Sequence, residues 1–173
     1  ASPKIFEYLK LPKEKYELHF LEWLIPDNAN ESLEAYTLRL AEHIKHENPV
    51  LIGVSFGGII VQELRKIIPV RKVILISSVK KESEIPRRLK FIQKSKIYKL
   101  FPSKRISSID DFSKFAIHKS FQHKAKVYNK YLAVRNEVYL NWAIYNVLNW
   151  KSNENYEDIV HIHGANDHIF PIK

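Results

Sequence analysis

The sequence predicts an α/β fold: a mostly parallel central sheet flanked by helices, with a helical insertion before the last strand. Three observations predict it. Residues 49–54 (Pro-Val-Leu-Ile-Gly-Val) and 72–76 (Lys-Val-Ile-Leu-Ile) are short apolar runs without alternation. Strands buried on both faces read this way, and parallel sheets are buried on both faces. Between the two runs, residues 57–68 carry a helical pattern that Pro69 ends. Strand, helix and strand within about thirty residues make a βαβ unit, whose crossover is right-handed. Strand character then returns only at residues 159–163, after a long stretch of helical pattern.

The other elements follow in chain order. Ser2-Pro3 ahead of residues 4–9 predicts a short capped helix with proline at its first position. Residues 16–23, with Leu18, Phe20 and Trp23 as apolar members, predict a strand. Pro26-Asp27-Asn28-Ala29-Asn30 predicts a loop. Over residues 31–47, Leu33, Tyr36, Leu40 and Ile44 recur at steps of three and four, one face of an amphipathic helix. Residues 80–152 hold amphipathic helical stretches rich in aromatics and lysine. One covers residues 124–148, with Tyr128, Leu132, Tyr139 and Trp142 near one face. Residues 1–79 and 153–173 therefore form the core, and 80–152 the insertion. No internal repeat or low-complexity tract interrupts this plan.

The chain's 173 residues suit one domain carrying an insertion, and 45% apolar with 27% charged residues is globular composition. There is no cysteine, which excludes a disulfide framework, a thiolate zinc site and a thiol nucleophile, and fits a reducing, cytoplasmic setting. No apolar run approaches the roughly 18 residues of a membrane span, and no signal peptide is visible. The chain also lacks methionine, so its first residue is read as a cut. Lysine and arginine exceed aspartate and glutamate by 28 − 19 = 9, a net charge of +9. The charges are not interleaved into a nucleic-acid motif, so a basic surface is expected and nucleic acid is not. Residues 80–105, with Arg87-Arg88, are strongly basic. A solvated face is expected there, and contact with an anionic lipid surface is the sharper alternative.

Chemistry enters at Gly53-Val54-Ser55-Phe56-Gly57. An apolar strand, a Gly-x-Ser-x-Gly turn and a helix make a nucleophile elbow. The sharp turn projects the Ser55 hydroxyl from the C-terminal edge of the sheet. Gly53 and Gly57 are expected to be small because strand and helix pack closely there, and Gly58 adds room. The N-terminus of the following helix favours negative charge, and the Phe56 N–H is a natural oxyanion donor. The competing reading is a glycine-rich turn with an incidental serine.

These residues resemble the α/β-hydrolase superfamily. So do the strand at 72–76, the helical insertion and the closing run His163-Gly164-Ala165-Asn166-Asp167-His168-Ile169-Phe170-Pro171. The resemblance covers nearly the whole chain. It implies that Asp167 is the acid of a catalytic triad and that the insertion is a lid over the substrate. The insertion's aromatics include Phe91, Tyr98, Phe101, Phe112, Phe115, Phe121, Trp142 and Tyr145, which are expected mostly as core, with some lining an acyl or aromatic pocket. The competing reading makes Asp167 a turn cap.

Family order puts the histidine after the acid. His168 is the immediate neighbour of Asp167, and adjacent side chains diverge. His161 and His163 precede the acid on its strand and are expected to be packed or surface residues. His43 and His46 fall on a helix and His118 and His123 in the insertion, without metal-ligand spacing. The catalytic histidine is therefore expected beyond Lys173, and the fold is expected to be truncated at both ends. Ala1 and Ser2 would be the tail of the loop that supplies the second oxyanion donor.

The expected activity is hydrolysis of an ester or related acyl bond in a small or lipid-like molecule, through an acyl-enzyme. Neither metal nor cofactor is expected. A non-catalytic ligand-binding relative and an acyltransferase are the alternatives.

Overall fold

The computed structural model describes residues 3–96, 136–152, 154, 156–167 and 169–171. The apolar runs form three strands, Val50–Val54 (β1), Lys72–Ile76 (β2) and Val160–Ile162 (β3). They make an open parallel sheet in the order β1-β2-β3. Val50 through Val54 lie opposite Lys72 through Ile76, and Ile74 through Ile76 opposite Val160 through Ile162. Among the described residues four α-helices accompany the sheet: Leu33–Ala41 (α1), Phe56–Arg65 (α2), Arg87–Ser95 (α3) and Glu137–Asn149 (α4). This is an α/β arrangement, with β1, α2 and β2 as the expected βαβ unit.

One buried cluster joins sheet and helices. It contains Tyr36 and Leu40 of α1, Leu51 of β1, Ile60 and Leu64 of α2, and Val73 and Leu75 of β2. Tyr139 and Trp142 of α4 belong to the same cluster. Trp142 Nε1 also donates to the Glu31 carbonyl at 2.8 Å. So α4, from the stretch read as an insertion, shares the core of the sheet. The outer strand β3 is less covered than its apolar sequence suggests, with Val160 and Ile162 both exposed.

Several expectations need correction. Residues 16–23 are not a strand. Strand backbone needs a partner for its amide groups, and none of the described residues pairs with this segment. Its Tyr16, Leu18 and Phe20 are exposed. Its end, Leu21 and Trp23 with the adjoining Leu24, packs on the core. The Tyr36 hydroxyl accepts from Leu24 N and donates to Leu24 O, both at 3.1 Å. Burial pushes that hydroxyl's pKa up to about 12, so it stays a donor.

The helix expected over 31–47 stops at Ala41. His43 N bonds Leu40 O and Ile44 N bonds Ala41 O, three-residue turns that tighten the end and bring Ile44 back onto the core. The N-terminal helix is a single 3₁₀ turn, Pro3–Phe6. The helix expected over 124–148 starts at Glu137, because Asn136 is extended and its side chain caps Tyr139 N at 3.1 Å. Tyr128 and Leu132 lie outside the described residues.

Candidate active site

Because the three strands are parallel, their C-terminal ends share one edge of the sheet. In open α/β sheets this is the edge where ligands bind. Ser55 follows β1, Ser77 and Ser78 follow β2, and His163 and Asp167 follow β3.

Ser55 has φ 54° and ψ −122°, a conformation L-residues rarely adopt. Such a residue costs on the order of 1–3 kcal/mol and persists only where its surroundings hold it. Here they do. Ser55 N donates to Ile76 O at 2.9 Å, extending the β1–β2 ladder. Its carbonyl accepts from Gly58 N and from Ser78 Oγ, both at 2.8 Å. Its side chain makes no capping bond to α2, so the hydroxyl is not spent on the helix. Ser77, at the end of β2, is also left-handed, with φ 48°. Its N–H reaches Ile162 O at 2.9 Å.

The glycines divide differently from expectation. A Cβ on Gly53 would lie 2.2 Å from Gly57 O and 2.7 Å from Gly58 N, so the turn demands glycine there. A Cβ on Gly58 would meet Ser78 Oγ at 2.3 Å. A Cβ on Gly57 would meet only the Trp23 ring, at 3.9 Å, which is ordinary contact. The close approach is therefore enforced at Gly53 and Gly58. Gly57 takes part through its backbone.

Phe56 opens α2, so its N–H lies in the first turn, where backbone donors lack an intrahelical partner. Its ring is clamped by aromatics. It stacks on Trp23 (5.7 Å, 5°) and meets Trp142 edge-on (5.7 Å, 71°). Trp142 is a core residue, as expected of the insertion's aromatics in general, whereas Phe91 and Tyr145 are exposed. Tyr98, Phe101, Phe112, Phe115 and Phe121 lie outside the described residues.

Asp167 sits at the expected edge, and it is a turn residue. Its Oδ1 accepts from Ile169 N at 2.7 Å and Phe170 N at 3.0 Å. Its Oδ2 faces His163 Nε2 at 3.5 Å. His163 Nε2 also bonds the Phe170 carbonyl. Two oxygen acceptors assign the proton to Nε2, leaving Nδ1 to accept. His161 Nε2 stands 3.1 Å from that Nδ1 and 3.1 Å from Ser78 O. Burial first, and the His163 charge second, hold the His161 pKa below its ordinary value. No hydrogen bond joins the Ser55 and Asp167 side chains among the described residues. Among the described residues a run of contacts leads from the Ser55 backbone carbonyl through Ser78, His161 and His163 to Asp167.

The part of Ser78 was missed in the sequence. Its signal was a small polar pair, Ser77-Ser78, where a buried parallel strand ends beside the elbow. A separate exposed group, Glu17, His19 and His46, has ligand atoms close enough to hold a metal ion. A surface groove lined by Leu9, Lys10, Leu11, Lys13, Tyr16 and Leu18 does not include Ser55. Among the described residues no helix is long and apolar enough to cross a membrane. Compared with protein families, with curated proteins and with solved structures, the chain shows no match.

Proposed function

We propose that the chain carries the nucleophile of a serine hydrolase of α/β-hydrolase type, acting on an ester or related acyl bond. The observation that carries this reading is the backbone of Ser55. A non-glycine residue sits in a strained left-handed conformation between a parallel strand and a helix, at the C-terminal sheet edge. Strain of this kind is tolerated where a side chain must be presented for chemistry.

In this reading Ser55 Oγ attacks the acyl carbon, and its proton passes to a histidine outside the described residues. The Phe56 N–H stabilises the oxyanion. The tetrahedral intermediate collapses with cleavage of the substrate's acyl–oxygen bond as the histidine returns the proton to the departing alcohol, and water then hydrolyses the acyl-serine, releasing the acid and restoring the Ser55 hydroxyl. Asp167 is the acid that orients the base. For that its Oδ2 would exchange His163 for the catalytic imidazole, while Oδ1 stays fixed on Ile169 and Phe170 N–H. The test is a fluorophosphonate probe. Labelling that vanishes in Ser55→Ala supports the proposal, and labelling that persists there refutes it.

A second reading, a ligand-binding protein without turnover, is favoured by one observation. The ring nitrogens of His163 and Nε2 of His161 are occupied by Phe170, Ser78 and each other. Absence of labelling in the intact chain selects this reading.

A further inference from the structure

We propose that Glu17, His19 and His46 form a surface site for a divalent transition metal, and that the donor set is fitted to zinc. The ligand atoms of these three residues all lie within 4.8 Å of one another. His19 Nε2 is 2.9 Å from Glu17 Oε1, so both side chains stand on one side of their segment. The His46 ring meets the His19 ring at 4.2 Å between centroids, inclined by 45°. All three residues are exposed, so burial does not drive the two imidazoles together. A metal ion gives both lone pairs a common partner.

Two imidazole nitrogens and one carboxylate suit zinc and its neighbours, whereas calcium and magnesium take oxygen donors. Zinc bonds of about 2.0–2.1 Å in a tetrahedron place ligand atoms about 3.3 Å apart. The His19–Glu17 pair, at 2.9 Å, is slightly tighter than that and the group as a whole lies within 4.8 Å, so modest side-chain rotation, which exposure leaves unhindered, brings the three to that spacing. Three protein ligands leave the fourth position to water. The site would tie segment 16–23, which has no strand partner among the described residues, to the turn that follows α1.

Calorimetric titration of the whole chain with zinc chloride tests this. One zinc is expected to bind. His19→Ala and His46→Ala should each weaken binding at least about tenfold, since losing even an outer-shell partner of a ligand weakens metal affinity 10–100-fold. Controls are His43→Ala and His161→Ala, which should leave it unchanged. Zinc should raise the thermal midpoint of the wild type and not that of the two variants. A readout without substitutions is imidazole NMR: zinc should perturb the His19 and His46 rings first. Absence of zinc binding, binding that survives both substitutions, or perturbation confined to other histidines overturns the proposal.

Discussion

Ser78 Oγ donates a 2.8 Å hydrogen bond to the carbonyl of Ser55, and so ties the end of β2 to the strained residue that follows β1. Ser78 is 1% exposed and presses on α2 where Gly58 lacks a side chain. Gln62 completes the support, with Nε2 donating to Gly58 O and Val79 O, both at 2.9 Å. The left-handed turn is thus braced from strand, helix and neighbouring loop together.

Removing that brace should be measurable. Ser78→Ala is expected to destabilise the fold by about 0.5–1.5 kcal/mol, the usual net worth of one hydrogen bond. If the bond also fixes the angle of Ser55, probe labelling at Ser55 slows in this variant. Chemical denaturation and labelling rate read the two effects separately. A rate equal to wild type limits Ser78 to a stabilising part.

Strain at Ser55 makes a second prediction. Glycine reaches φ 54° freely and alanine does not. Relief of about 1–3 kcal/mol, less about 0.5–1 kcal/mol of glycine's chain entropy, leaves Ser55→Gly more stable than Ser55→Ala by about 1 kcal/mol. Both variants lose the hydroxyl, so their urea midpoints isolate the backbone. Equal midpoints would show that the turn stores no strain.

The three glycines should separate in an alanine series. Gly53→Ala drives a Cβ into backbone at 2.2 Å and is expected to be the worst, at about 3 kcal/mol or more. Gly58→Ala displaces Ser78 and should cost about 1–3 kcal/mol. Gly57→Ala meets only the Trp23 ring at 3.9 Å and gains helix propensity, so it should be neutral or stabilising by up to about 1 kcal/mol. A different rank order in the same denaturation assay contradicts the geometry.

His161 predicts a pH dependence. Its folded pKa lies below the ordinary 6.5, through burial first and the His163 charge second. The unfolded chain therefore takes up the proton at higher pH than the folded one. The contribution is fully present above 6.5 and declines as pH falls from 6.5 through the lower folded value. Urea midpoints measured from about pH 7.5 to pH 5 should fall, and His161→Gln should flatten part of that fall. An undiminished slope in the variant rejects the assignment.

Trp142 carries the attachment of α4. It is 1% exposed, contacts Tyr36 and Phe56, and bonds Glu31 O. Trp142→Ala should destabilise the fold by about 3–5 kcal/mol in a single cooperative transition. A variant in which α4 melts alone would show it to be a detachable lid.

The sequence by itself determined the elements whose signal is local. Val50–Val54 and Lys72–Ile76 read as parallel strands because continuous apolar runs have no solvent face to offer. The turn at Ser55 read as an elbow because glycines flank it between strand and helix. What depended on partners was not legible. Residues 16–23 have a strand's composition, but pairing is a property of two segments, and among the described residues this one has no strand partner and meets the core through Leu21 and Trp23. Glycine spacing pointed to Gly57, but the close approach falls at Gly58, because only packing brings Ser78 against the helix. Asp167 could be placed at the sheet edge, while its turn bonds and its contact with His163 arose from the path of the loop. His19 and His46, unremarkable along the chain, became neighbours through the folding back of the turn after α1. Local patterns set which segments are strands and helices, and three-dimensional packing decided which side chains meet.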